Sequence, residues 1–426
     1  MAAARFRLGW VVFCIAIVLH GVTFIQANRT ADIYQDDSVF YLTIAKNLWK
    51  SGTFSQSFFE PLIADIQRLP GYPIFLIMGF FSPFVVLLLQ HILVFTSAII
   101  LYKAVSLYLP PKAARKAAWL FILLPMPIVF SNLLLSEILG IWGICWVIWF
   151  WAKYHRQDKV KYGVITVILA TLLFYVKPIA LAYLPIITIS ISGLMIYRRK
   201  ITVALAVICL PILMLLPWSI RYYTITGKLG LSTLIETNAY YGRVGGFSAW
   251  LVGENQRDDA ITFVAADSIA CKNYPDKTIK TYSATYCTQE TEIISIPITT
   301  TFIELVFQNP LGFCIWLIEV IFQQLSGLGY ETSFQITHNK IISIIFAAMQ
   351  VVVSGIWLLT IVKYFQTISQ QPLISHFILV IIVLHFAATA VGWADGRFRL
   401  PIEPLLCVLT ALNIPTKIQP NKTTEK

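Results

Sequence analysis

Charge is what this chain has least of. Only 12% of its 426 residues are Asp, Glu, Lys or Arg, while 58% are hydrophobic. An ordinary soluble domain carries about 25% charged and about 45–50% apolar residues. The deficit excludes a soluble globular enzyme and points to an integral membrane protein. The chain also lacks a Gly-x-Gly-x-x-Gly turn and a P-loop, the two glycine-rich cradles for nucleotide phosphates. It has no Cys/His spacing suited to a structural metal and no repeat of fixed period. Of the seven cysteines, Cys14, Cys145, Cys209, Cys314 and Cys407 lie in apolar segments and read as bland membrane-core residues.

What charge there is has a pattern. The formal net charge is +11, yet the basic residues do not form one nucleic-acid face. They cluster in short loops between apolar runs: Arg5 and Arg7, Lys112 to Lys116, Lys153 to Lys161, and Arg198-Arg199-Lys200. This is the positive-inside pattern. A membrane helix needs about 20 mostly apolar residues, and ten segments qualify: 8–25, 83–108, 114–131, 133–152, 160–176, 178–197, 201–218, 341–363, 373–392 and 398–415. The first lacks a small-x-small cleavage site and reads as an anchor rather than a leader. With the N-terminus in the cytoplasm, all the basic loops and the tail 416–426 fall inside. Residues 311–326 are apolar but short and carry Glu319. A full span there would put the lysine-rich tail outside, so the segment is expected to lie on the outer leaflet as an interfacial helix.

The expected fold is therefore an all-α polytopic bundle over 1–415 with two outer regions, 26–82 and 219–340. The second contains the longest polar stretch, 252–292, with Cys271 and Cys287 sixteen residues apart. These are either free thiols or a disulfide, which in the chain-entropy account stabilises by about 3 kcal/mol and suits an oxidising compartment. His91 and His385 sit inside apolar spans and read as hydrogen-bonded bundle residues, and Trp142, Trp146, Trp149 and Trp151 as a packing stripe ending in an interface belt.

The first outer region carries the chemistry. Asp36 and Asp37 open a short amphipathic helix in which Val39, Leu42, Ile44-Ala45 and Leu48-Trp49 recur at helical spacing. Gly52 follows as a C-cap glycine would. One carboxylate at a helix start is explained by capping. Two adjacent ones are explained less well, because like charges repel. Arg68-Leu69-Pro70-Gly71-Tyr72-Pro73 then turns the chain back to the membrane.

These residues resemble the GT-C superfamily of membrane glycosyltransferases, in the pattern of protein O-mannosyltransferases and the lipid A aminoarabinose transferase. The resemblance is carried by Asp37-Ser38-Val39-Phe40-Tyr41-Leu42-Thr43-Ile44-Ala45 and Pro70-Gly71-Tyr72-Pro73. Weaker echoes are Ser136-Glu137, Lys177-Pro178, Pro217-Trp218-Ser219-Ile220-Arg221-Tyr222 and Asp395-Gly396-Arg397-Phe398-Arg399-Leu400-Pro401. The topology drawn from charge puts all of them on one outer face. The chain departs from the family pattern in three places: Asp36 precedes Asp37 where the family's second acid follows the first, Lys177 stands where Arg is common, and Arg397-Phe398 replaces Arg-Tyr.

The resemblance implies a GT-C-type bundle of a bacterial inner membrane that takes a sugar from a polyprenyl-phosphate donor on the periplasmic side. An endoplasmic reticulum membrane would obey the same physics. Asp37 is the expected base, with Asp36 as the alternative. Arg68, Lys177, Arg221, Arg397 and Arg399 are candidates for a phosphate clamp. Glu137, Arg243, Tyr41 and Tyr72 are further substrate-binding candidates. No cofactor is required, and a divalent metal on Asp36/Asp37 stays open. The acceptor is a glycan, lipid or protein. Two rivals from other classes remain: a flippase for a lipid-linked saccharide, which would show broken helices near the midplane, and a non-catalytic envelope assembly protein, which would tolerate loss of both aspartates.

Overall fold

The computed structural model describes residues 2–30, 32–234, 243–253, 298–327, 330–389 and 396–413. Every regular element among them is a helix. The pair Cys271 and Cys287, Asp395, the tail 416–426 and the side chain of Asp36 lie outside the described part, as does nearly all of the polar stretch 252–292.

The chain begins with α1 (Ala2–Thr30) and the short α2 (Asp36–Ser51). The order continues through α3 (Gly71–Met78), α4 (Pro83–Val105), α5 (Pro111–Ile122), α6 (Pro125–Phe130), α7 (Glu137–Gln157), α8 (Val160–Val176), α9 (Ala180–Tyr197) and α10 (Ile201–Thr226). After these come α11 (Gly246–Leu251), α12 (Ile298–Gln308), α13 (Pro310–Ser326), α14 (Tyr330–Thr337), α15 (Lys340–Gln366) and α16 (Leu373–Thr389). A 3-10 segment (Gly396–Ile402) leads into α17 (Glu403–Asn413). Among the described residues six stretches are long and apolar enough to cross a membrane: Gly9–Thr30, Pro83–Val105, Ala180–Tyr197, Ile201–Thr226, Pro310–Thr337 and Lys340–Gln366. Of these, Pro310–Thr337 crosses two residues outside the described set. Val160–Val176 and Leu373–Thr389 are apolar but shorter. The protein is a multi-pass membrane protein.

Local chemistry explains most boundaries. Ser82 caps α4, its side chain accepting from the Val85 N–H, and Pro83 occupies the first turn, where a missing N–H costs nothing. Gly52 ends α2 in the left-handed conformation at φ 69°, as expected. Gln35 and Ser38 form the cap of α2, Ser38 Oγ accepting from the Gln35 N–H at 2.9 Å, which leaves Asp37 to other partners.

Two expected spans differ in kind. The run 114–131 is broken, since α5 ends at Ile122 and α6 starts at Pro125. Pro125 disfavours helical geometry at Leu124, which sits extended at ψ 130°. The run 398–415 begins as the 3-10 segment with Pro401 inside it and becomes α-helical only from Glu403.

The segment 311–326, expected to lie on the outer leaflet, is the helix α13, and its C-terminal end packs into the bundle. Leu325 O accepts from Ser354 Oγ at 2.7 Å, midway along α15. Trp316 and Val320 are buried against Phe247 of α11. The physical reason is a buried cation. Arg399 donates to the carbonyls of Gln324 at 2.5 Å, Leu325 at 2.6 Å and Gly327 at 3.3 Å. Carbonyls at a helix end have no partners of their own, and this guanidinium supplies them.

Candidate active site

Five charged side chains from five parts of the chain meet beside the first turn of α2. Asp37 stands one residue into that helix. Its Oδ1 receives Arg68 Nη2 at 2.8 Å, and its Oδ2 receives Arg397 Nη2 at 2.9 Å. Arg397 also donates through Nε to Glu137 Oε1. The same oxygen accepts from Lys177 Nζ at 3.0 Å. The network therefore runs Arg68–Asp37–Arg397–Glu137–Lys177, three cations against two carboxylates. Glu137 is fully buried and Arg68 nearly so, while Asp37, Lys177 and Arg397 keep 15–27% exposure. The exposed edge gives the network access from outside.

Each member is positioned by local structure. Asp65 folds its own turn, Oδ1 accepting from the Gln67 and Arg68 N–H groups at 3.0 and 2.7 Å. This aims Arg68 back at α2. Arg68 lies with its guanidinium 5.5 Å from the Phe40 ring and 5.7 Å from the Tyr41 ring. Glu137 is the first residue of α7, where a carboxylate meets the positive end of the helix dipole. Lys177 breaks the line between α8 and α9 with extended backbone, φ −139° and ψ 121°. Its side chain passes Gly140, where a Cβ would stand 3.3 Å from Lys177 Cδ. Gly71 is tighter still, since a Cβ there would meet Tyr175 O at 2.6 Å.

The opposing influences on Asp37 are clear. Burial pushes its carboxyl up; Arg68 first and then Arg397 pull harder the other way, so that it comes down to about 2. It is an anion held by two guanidinium groups.

The remaining sequence candidates fall elsewhere. Tyr41 and Tyr72 form an edge-to-face pair 5.0 Å apart under the network. Tyr72 is fully buried, and its hydroxyl donates to Gln90 Oε1 at 2.9 Å, so it braces the network from below. Arg221 donates to the backbone of Asp65 at 2.7 Å and lies over Trp218 at 4.7 Å. It holds the turn that presents Arg68 and makes none of the network's ion pairs. Arg399, with 0% exposure, pairs with the equally buried Glu403 at 2.9 Å and is a staple for α13. Arg243 is half-buried just before α11, and its Nε has no hydrogen-bond partner among the described residues. It makes none of the network's ion pairs.

Several residues of this region carried no readable signal. Gln90 is buried in the middle of α4. Its Nε2 donates to the carbonyls of Ser131 and Leu133 at 3.1 and 2.7 Å, the turn that delivers Glu137, while its Oε1 holds Tyr72. A lone Gln in an apolar run is the only sequence trace of this. His91 and His385 are hydrogen-bonded bundle residues as expected: His91 bonds His20, Ser131 and Asn132, and His385 bonds the Phe398 carbonyl. The start of α2 is tied across the chain by Gln35 Nε2 to Gln335 Oε1 at 2.7 Å and by Asp32 to His338.

A divalent metal on Asp37 fits poorly. Both oxygens are engaged by guanidinium groups, so a metal would have to displace one. Among the described residues no group of three or more His, Cys, Asp or Glu side chains converges.

Comparison with known proteins adds a family likeness over part of the chain. Residues 72–219 match the model of the dolichyl-phosphate-mannose-protein mannosyltransferases. The match bears out the resemblance to GT-C membrane glycosyltransferases that the motifs carried. It includes Tyr72, Glu137 and Lys177 and leaves out Asp37, Arg68 and Arg397. No curated protein sequence matches. Among solved structures, the Archaeoglobus fulgidus oligosaccharyltransferase in complex with Zn and sulfate is 12% identical over 93% of this chain at a TM-score of 0.49. This chain spans about half of that one, 48%. ArnT from Cupriavidus metallidurans bound to undecaprenyl phosphate is 14% identical, covering 95% of this chain and 78% of its own, at a TM-score of 0.42.

Proposed function

We propose that this chain transfers a sugar from a polyprenyl-phosphate-linked donor to an acceptor hydroxyl at the outer face of a bacterial inner membrane. The observation that carries the proposal is the five-residue network. Among the described residues it gathers three cations and two carboxylates, is open at one edge, and holds Asp37 between two guanidinium groups for which an incoming phosphate would compete.

The chemistry follows from that competition. The donor phosphate meets Arg68, Arg397 and Lys177, and charge-assisted bonds to guanidinium groups hold it. As it draws Arg68 and Arg397, Asp37 loses the partners that keep its pKa low. The carboxylate recovers basicity when the donor is in place. The acceptor hydroxyl oxygen attacks the anomeric carbon, its proton passes to Asp37, and the bond from the anomeric carbon to the phosphate oxygen breaks. The electron pair leaves on polyprenyl phosphate, whose added charge the cations stabilise. Glu137 anchors Arg397 and Lys177 throughout. Its Oε2 is buried and has no hydrogen-bond partner among the described residues.

The test compares membranes carrying wild type and Asp37→Asn at equal protein level. The expected result is accumulation of lipid-linked sugar and loss of glycosylated product by about 10²-fold or more. Unchanged transfer in Asp37→Asn would remove the base from the mechanism and move the flippase and assembly readings ahead.

A further inference from the structure

At the opposite end of the helices from Asp37, three lysines from three helices surround one aromatic surface. Glu137 and Lys153 bracket most of α7, about 24 Å apart at 1.5 Å per residue. Lys153 Nζ lies 4.2 Å from the ring centroid of Trp149, 4.8 Å from Tyr162 and 5.6 Å from Phe150. Lys103, near the end of α4, stands 5.4 Å from the same Trp149. Lys161, in the first turn of α8, stands 5.4 Å from Tyr162. None of the three makes an ion pair among the described residues.

Their surroundings offer no counter-charge. Residues 102–117, 153–161 and 198–200 hold eleven Lys and Arg and one acid, Asp158. Asp158 is already taken by Arg198 at 2.8 Å and Lys200 at 2.9 Å. A ring face attracts an ammonium but does not neutralise it, so three charges remain close together. Simple snorkelling would extend the lysines away from the rings into water. Lys153 instead folds back over three of them. Ile99, one turn before Lys103 on the same face of α4, is 54% exposed and continues the site with an apolar surface suited to acyl chains.

We propose that Lys103, Lys153 and Lys161, set around Trp149 and Tyr162, bind the phosphate of an acidic membrane phospholipid. Basic pockets between membrane helices recognise such headgroups. The apolar surface on α4 selects the lipid over free phosphate.

Native mass spectrometry of the full chain, released from detergent with added phosphatidylglycerol or phosphatidylcholine, tests this without any transferase assay. Wild type should retain phosphatidylglycerol in preference to phosphatidylcholine. Each lysine contributes about fivefold near an anionic lipid, so Lys103→Gln alone should weaken phosphatidylglycerol binding about fivefold and the triple Gln variant roughly 100-fold. Lys112→Gln/Arg115→Gln/Lys116→Gln, the same charge change elsewhere on this face, should leave binding within about twofold. Three results would overturn the assignment: equal retention of both lipids, a triple variant no weaker than that control, or displacement of the lipid by millimolar glycerol 3-phosphate. If the triple variant does not fold, Lys103→Gln decides, because Lys103 is exposed.

Discussion

Arg397→Met separates what the network does for stability from what it does for chemistry. The guanidinium bridges two carboxylates, through Nη2 to Asp37 and Nε to Glu137. Hydrogen bonds to charged groups contribute about 1.5–3 kcal/mol each, so two would give about 3–6. Arg397 is 27% exposed, and water replaces part of that, which leaves about 3 kcal/mol. Most of the loss arises at Glu137, which has 0% exposure and would keep only Lys177. A buried charge stripped of one partner is costly, and the cost falls if the charge goes too. Glu137→Gln in the same chain should therefore recover about 1 kcal/mol or more, while transfer stays lost in both variants. With the other five cysteines replaced by Ser, unfolding can be followed by a thiol-reactive dye, because Cys145 and Cys407 are fully buried free thiols that become reactive only when α7 and α17 separate. An Arg397→Met protein that melts with wild type would refute the reasoning. So would a double variant whose losses simply add.

Other expectations follow from the same geometry. Tyr72→Phe leaves Gln90 Oε1 buried without its donor, a cost of about 1–3 kcal/mol; the dye melt should register it, and Gln90→Leu in the same chain should recover part. Arg399→Met abandons the buried Glu403 and three helix-end carbonyls, so it should destabilise by about 3–5 kcal/mol yet leave the activity of the surviving folded protein near wild type. Asp37 is depressed to about 2, so its stabilisation is complete above the unfolded value near 4 and is lost as pH falls through about 2. Accordingly, kcat/KM should show no Asp37 inflection between about pH 4 and 7, whereas kcat, which reports the donor-bound state, should bring one closer to the ordinary carboxylate range. An inflection of kcat/KM near 4 that vanishes in Asp37→Asn would contradict the ion pairing.

Much of this architecture was visible in the chain. Val160–Val176 was expected and found with the same bounds, because an uninterrupted apolar run between charged ends leaves little choice. Asp37, Arg68, Glu137, Lys177 and Arg397 stood out as charges in apolar surroundings, which must find partners. Which partner each finds was not visible, and that is where Arg221 and Arg399 went elsewhere. A guanidinium satisfies a loop carbonyl as readily as a phosphate, and only the three-dimensional course of residues 54–65 and 324–327 tells which is near. The partners of α13 were hidden for the same reason. Counting loop charges gives no hint that Arg399 captures its last carbonyls inside the bundle. Gln90 left no trace beyond its own polarity, since its partners lie 18, 41 and 43 positions away.

The pair joining Asp37 to Arg397 spans 360 positions, and this governs the birth of the protein. Ribosomes add about 5–20 residues per second, so Lys177 emerges roughly 10–40 s before Arg397. For that interval Glu137 has Lys177 alone and Asp37 has Arg68 alone. The segment that carries Arg397 links the two halves, and a chain stopped before it holds every other member of the network without its bridge. Translation order thus acts as a safety catch: the network closes only once Arg397 has been made.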